Sequence, residues 1–233
     1  MADKHLSSQF DSDLNRVSAR FLELGGLAEL QLRQAIYALS EFNAEAAAQV
    51  QETEKRVNAM ELEIDRELTS IIARRQPAAV DLRLLLAISK TTANLERVGD
   101  EAAKIARMVT SIIASGSARR LPASELRVAA DMAAEQLRKV LDAFARLDTE
   151  EAMQIVRGDD HLDEEFNGFV RKLITYMMED ARTISASLDL LFIAKSIERI
   201  GDHAKNIAEF IIYIVKGDDV RHTRVGESEA LDP

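Results

Sequence analysis

The segment Leu95-Glu96-Arg97-Val98-Gly99-Asp100-Glu101-Ala102 returns in the second half of the chain as Ile197-Glu198-Arg199-Ile200-Gly201-Asp202-His203-Ala204. Each copy sits in a run whose apolar residues recur every three or four positions, the spacing of one helix face. In the first copy this seam runs from Leu85 through Leu95 and Gly99 to Ile113. In the second it runs from Leu190 through Ile197 and Gly201 to Val215. Such seams pack helices side by side in bundles.

Working outward, the same periodicity predicts three helices in each half. They cover about Leu14 to Ser40, Ala44 to Arg75 and Ala79 to Ser115, then Ser124 to Leu147, Thr149 to Asp180 and Ile184 to Lys216. Asn43 and Asp148 stand where N-caps belong, and Glu151 follows Asp148 at capping-box spacing. The first two helices of each half also align, with Ala38, Ala47, Val50 and Val57 falling on Ala143, Ala152, Ile155 and Leu162. Their offset is three residues longer than that of the third helix, and a small insertion before the sixth helix is the expected account. Sliding the second helix by one turn gives a nearly equal apolar match, so its register is the least determined part of the alignment. The expected fold is all-α: two tandem, pseudo-symmetric three-helix bundles. Their bounds are a flexible N-terminus over 1–13, a first bundle over 14–116, a linker over 117–123, a second bundle over 124–217, and a disordered tail over 218–233.

Composition narrows the function. Of 233 residues 47% are hydrophobic and 30% charged, enough to bury a core and still cover it with charge. There is no cysteine, which excludes disulfides, iron–sulfur clusters and thiolate zinc sites and fits a cytoplasmic protein. The net charge of −10, with arginines scattered among acids, argues against nucleic acid as a partner. The stretch from Phe210 to Val215 is too short to span a bilayer, so any membrane association would run through other proteins. No Walker-A loop, no Glu-x-x-His pair and no nucleophile in a recognisable setting is present. Met177-Met178 reads as core filler.

One constellation carries chemistry. Glu96-x-x-x-Asp100 and Glu198-x-x-x-Asp202 each set two carboxylates one turn apart on one face, around a seam glycine. Like charges at that spacing repel by a few tenths of a kcal/mol, and an interior glycine costs about 1 kcal/mol relative to alanine. Both costs are repeated in both halves. The second helix of each half offers partners: Glu54 with Asn58, and Asp159 with Asp163. Facing carboxylates make an oxygen cage suited to divalent or iron-group metal ions (Fe, Mn, Mg or Zn, with Ca²⁺ also of the right hardness), with no organic cofactor. The second cage, Asp159, Asp163, Glu198 and Asp202 with Asn206 a turn on, should bind more tightly than the first, Glu54, Glu96 and Asp100. There Asn58 replaces an anion and Lys104 can pair with Asp100. Acidic pairs also belong to ordinary solvated helix faces, with Arg97 and Arg199 in surface networks. His203 points about 100° away from Asp202 and is a surface or supporting residue.

These residues resemble the PhoU family. The resemblance rests on Ala73-Arg74-Arg75-Gln76-Pro77, Asp81-Leu82-Arg83-Leu84 and the motif at 95–100. In the second half it rests on Glu179-Asp180-Ala181-Arg182-Thr183 and the run from Leu191 to Ala204, and it extends over about residues 6 to 222. It implies two three-helix bundles whose Glu/Asp-x-x-x-Asp motifs hold metal clusters. It implies a non-enzymatic, homodimeric regulator of phosphate transport and phosphate homeostasis. Such a regulator couples the ATPase subunit of a phosphate ABC transporter (PstB-like) to a phosphate-sensing histidine kinase (PhoR-like), and represses the starvation response when phosphate is plentiful. The competing reading from the residues alone is a metal-dependent hydrolase or oxidase built on the carboxylate cages.

Overall fold

The computed structural model describes residues 8–118, 121–158 and 160–217. Those residues form seven α-helices and no strand: α1 (Ser8–Glu41), α2 (Ala44–Arg75), α3 (Ala79–Ala114), α4 (Arg127–Arg146), α5 (Thr149–Arg157), α6 (Asp160–Glu179) and α7 (Ile184–Lys216). α1, α2 and α3 pack mutually as one bundle; α4, α5–α6 and α7 form the second. The third helices, α3 and α7, share the most extensive helix–helix contact and join the two. A tilted aromatic pair, Phe21 on α1 and Phe144 on α4 with ring centroids 4.3 Å apart and planes at 45°, closes the join from the other side. No helix among the described residues is long and apolar enough to cross a membrane.

The expected caps form. Asn43 Oδ1 accepts from the Ala46 amide at 2.9 Å, and Asp148 Oδ1 accepts from the amides of Glu150 and Glu151 at 3.1 Å each. Three features differ from expectation. α1 starts at Ser8 rather than Leu14, because its first turns are tied down: Phe10 is buried, and buried Asp13 accepts from Arg75 Nη2 at 3.0 Å and Arg16 Nη2 at 2.8 Å. The expected fifth helix is two helices, α5 and α6. Gly158 caps α5, and glycine is the costliest ordinary residue to carry inside a helix. The seam of α7 holds as far as Ile211, but Val215 is exposed in the last turn, where Ile212 and Ile214 are buried instead.

The expected insertion before α7 is instead a deletion: Val57 and Gly99 stand 42 residues apart, Leu162 and Gly201 only 39, and the α6–α7 connection is a 3₁₀ turn over Ala181–Thr183 capped by Asp180. In the linker Gly116 adopts φ 68°, and a 3₁₀ turn over Ala123–Leu126 leads into α4. The tail 218–233, residues 1–7 and Arg119-Arg120 lie outside the described residues.

Candidate functional site

The two seam glycines fix how the halves correspond. A Cβ on Gly99 would stand 2.9 Å from Gln31 Oε1, 3.1 Å from Glu54 Oε2 and 3.2 Å from Val57 Cγ1. A Cβ on Gly201 would collide with Leu162 Cδ2 and stand 3.4 Å from Gln136 Oε1. Gln31 answers to Gln136 and Val57 to Leu162 at the offset read from the sequence, so the uncertain register of the second helix holds. It makes Asp163 the counterpart of Asn58. Asp159, the counterpart of Glu54, lies outside the described residues.

In the first half α2 and α3 bring Glu54, Asn58 and Glu61 to the same face as Glu96 and Asp100. Gln31 reaches in from α1, fully buried, and its Nε2 donates to Glu54 Oε2 at 2.6 Å and to the Gly99 carbonyl at 3.2 Å. Burial pushes the Glu54 carboxyl up, and the Asp100 carboxylate beside it adds to that against the amides of Gln31 and Asn58. Glu96 is raised by burial, then by Asp100 and Glu61. Glu61 is raised by burial, then by Asp65 and Asp100, with Arg97 opposing. These carboxylates therefore crowd one another with little positive charge among them. Arg97 stands 3.6 Å from both Glu96 and Asp100, with its side chain 65% exposed. Lys104, expected at Asp100, pairs with Glu101 instead at 3.5 Å, one residue along and facing α7.

The second half is built differently. Glu198 is covered by Lys195, whose Nζ lies 2.5 Å from Glu198 Oε1 and 5.3 Å above the Phe166 ring. Phe166 stands where the first half has Glu61. Asp202 is partly buried on α7, and Asp163 is exposed on α6. Asn206, expected as a neutral donor, gives its Nδ2 to Asn94 Oδ1 at 3.2 Å, and His203 Nδ1 meets the same oxygen at 3.1 Å. His203 is thus a half-buried contact between bundles, its imidazole pushed down by burial. Arg199 is also at that join, with Nη1 3.1 Å from Glu101 Oε1. An open cavity of about 610 Å³ between α4, α5 and α6 reaches Gln136 and Leu162.

Among the described residues no three carboxylates or histidines already converge at ligating distance. The donor chemistry of the first half nevertheless fits a hard cation. It offers Glu54, Glu96 and Asp100, and the buried oxygens Gln31 Oε1 and Asn58 Oδ1 accept no hydrogen bond. Sequence reasoning missed Gln31, Gln136, Glu61 and Lys195. The glutamines were findable as polar residues inside an apolar seam, repeated at the offset of Ala38 and Ala143. Met178 corrects another expectation: it is 82% exposed rather than core, because its helix turns that side outward.

A duplicated three-helix bundle, joined through its third helices and carrying a Glu-x-x-x-Asp pair beside a seam glycine in each copy, defines a class of tandem-repeat helical proteins. The PhoU domain model matches the chain twice, over residues 21–109 and 126–211, one match per bundle. A phosphate-specific transport system accessory protein PhoU homolog of Burkholderia sp is 54% identical over 223 residues, covering 95% of each chain. The phosphate-specific transport system accessory protein PhoU of Escherichia coli (strain K12) is 46% identical over 229 residues, covering 98% of this chain and 94% of that one. The crystal structure of PhoU from Pseudomonas aeruginosa matches with a TM-score of 0.87 at 42% identity, over 90% of this chain and all of that one. The chain belongs to the PhoU family.

Proposed function

We propose that the chain is a non-enzymatic, cytoplasmic regulator of phosphate uptake and signalling that works by protein contact. On this reading it carries the state of a phosphate ABC importer, through its ATPase subunit, to a phosphate-sensing histidine kinase, and holds the starvation response off when phosphate is plentiful. The names of the relatives, phosphate-specific transport system accessory proteins, support the phosphate side of this reading.

The observation that carries the contact side is an exposed apolar face on the second bundle. Ile174 and Met178 on α6 and Ile184, Leu188 and Phe192 on α7 are 42–82% exposed. Ile174 and Met178 lie one turn apart on α6, and Ile184, Leu188 and Phe192 follow at one-turn spacing on α7, across the short connection at Ala181–Thr183. Soluble chains rarely leave such a patch bare without a partner for it. The matching positions of the first bundle are Thr69, Ala73, Leu82, Leu86 and Lys90; Leu86 is exposed there too, but the large apolar side chains of α6 and the ring of Phe192 are particular to the second half.

The acidic faces, on the same reading, take a divalent or iron-group cation. It would be held by Glu54, Glu96 and Asp100 in the first half and by Asp159, Asp163, Glu198 and Asp202 in the second. Its role is to neutralise carboxylates that otherwise repel.

The test is a strain lacking the gene, complemented with wild type or with Leu188→Glu/Phe192→Glu. Deletion should derepress starvation genes in rich phosphate. The double variant should fail to restore repression while keeping wild-type helicity and melting temperature. Normal repression in the deletion strain overturns the regulatory reading; full complementation by the variant removes this face from it. Sedimentation of the same variant reads whether a second copy of the chain is the occupant. Purified protein should turn over neither phosphate esters nor ATP.

A further inference from the structure

We propose that Gln31 is a positioning residue of the first acidic site, holding Glu54 against Asp100 so that a hard divalent cation meets a preformed carboxylate pair. This rests on reading the acidic faces as cation sites and adds to it a residue from the first helix, on which neither motif lies.

Gln31 is a polar side chain at 0% exposure in the apolar seam of α1, between Ala28 and Ala35. Burying an amide there is costly unless its groups are satisfied. Its Nε2 is well used, on Glu54 Oε2, the Gly99 carbonyl and more distantly the Val50 carbonyl at 3.4 Å. Its Oε1 accepts nothing. That oxygen lies over Gly99, the residue before Asp100: a Cβ there would stand 2.9 Å from it and 3.1 Å from Glu54 Oε2. One amide therefore clamps a candidate ligand by its donor end and leaves a bare acceptor against Gly99, next to Asp100 in the chain. Asn58 Oδ1, on the next turn of α2 from Glu54, is a second buried oxygen with no donor.

The glycine completes the device. Any side chain at 99 would press on both Gln31 Oε1 and Glu54 Oε2. The repeat preserves the pairing, since Gln136 Oε1 lies against Gly201. A packing role alone would be met by leucine or methionine at 31. It would explain neither the 2.6 Å bond to a carboxylate nor the unused oxygen beside it. Residues that orient a metal ligand in this way typically contribute 10–100-fold to affinity.

The experiment uses metal-stripped full-length protein in a Glu198→Ala/Asp202→Ala background, so that the first site is read alone. Mn²⁺ is titrated and the free ion followed by its electron paramagnetic resonance. Gln31→Met, which keeps volume and loses the amide, should weaken binding 10- to 100-fold at unchanged helicity. Gly99→Ala removes no ligand but displaces both oxygens, and should weaken binding in the same direction; it decides the matter if Gln31→Met does not fold. Unchanged affinity in the folded variant overturns the positioning role and leaves Gln31 a packing residue. If the background protein fails to bind Mn²⁺ while wild type binds, the first site is no cation site and the inference falls alone. If wild type shows no saturable binding either, the cation reading of both faces falls with it.

Discussion

Replacing Arg199 by alanine takes the guanidinium from Glu101 and should loosen the join between the bundles. Glu101 is only 8% exposed on α3, and Arg199 Nη1 reaches its Oε1 from α7 at 3.1 Å. Hydrogen bonds to charged groups contribute about 1.5–3 kcal/mol, whereas solvent-exposed ion pairs are worth about 0–1 kcal/mol. The Arg199 side chain is 49% exposed and Lys104 Nζ remains 3.5 Å from Glu101 Oε2, so the lower part of that range applies. We expect Arg199→Ala to cost about 1–2 kcal/mol in urea unfolding. We expect a coupling of about 1 kcal/mol with Glu101→Gln in a double-mutant cycle. The sign with pH follows from Glu101. Burial acts to raise its carboxyl, but Ser196, Arg199 and Lys104 together hold it below the ordinary 4.5. A depressed carboxylate gives its stabilisation in full above the ordinary value and loses it as pH falls through the folded one. The Arg199→Ala penalty should thus be constant from pH 7 to 5 and shrink below about 4.5. Single-mutant costs that add within about 0.3–0.5 kcal/mol, or a penalty that grows on acidification, would refute the clamp.

Three further outcomes are expected. Glu96→Gln should stabilise the protein by a few tenths of a kcal/mol at pH 7, because the raised Glu96 carboxyl is a cost above its folded value. That gain should vanish as pH falls through the folded value toward 4.5, and thermal melts at several pH values read it. Gly201→Ala should be nearly neutral in urea unfolding: the atom in its way is the far end of Leu162, which borders the 610 Å³ cavity and can swing into it, and the helix gains about 1 kcal/mol. Phe144→Ala should cost about 3–5 kcal/mol, since the residue is 4% exposed and its ring packs at a tilt against Phe21 across the bundles; calorimetry checks it.

Much of this was legible in the sequence, for reasons that also mark where reading stops. The seam residues from Leu85 to Val109 and Leu190 to Ile211 are buried as their period implies, because burial of one helix face is what periodicity records. The offset between halves was readable because Val57 and Leu162 fill the same place over the two glycines. The partners of charges were not readable. Lys104 can reach either Asp100 or Glu101 from its own helix, and the choice of Glu101 depends on α7 lying opposite. Lys195 on Glu198 was overlooked because its counterpart is Ala93, so no repeat drew attention to it. The break at Gly158 was hidden by the apolar pattern, which runs on through Ile155 and Leu162 on either side. Met178 is a methionine at a helix end, where apolar character no longer implies burial.

The duplication keeps one scaffold and divides its outer faces. With the register fixed at Val57 and Leu162, Glu61 is matched by Phe166, Thr69 by Ile174 and Ala73 by Met178; on the third helix Lys90 is matched by Phe192 and Ala93 by Lys195. The first face is left with raised, mutually repelling carboxylates and one exposed arginine. The second has exchanged a carboxylate for an aromatic ring, placed an ammonium between that ring and Glu198, and carries exposed apolar side chains on α6 and α7. Among the described residues, positive charge from outside is therefore worth more to the first face, the reverse of the ranking expected from the sequence, and apolar surface from outside is worth more to the second. The two faces are also mechanically joined, because Arg199 and Glu101 are the immediate neighbours of Glu198 and Asp100 and hold each other across α3 and α7. On the proposed cation reading, a cation held by the first half would act on the helix that the second half leans upon. Mn²⁺ should accordingly change the protection of α7 amides in hydrogen exchange in wild type and much less in Arg199→Ala; equal changes in both would show that the faces act independently.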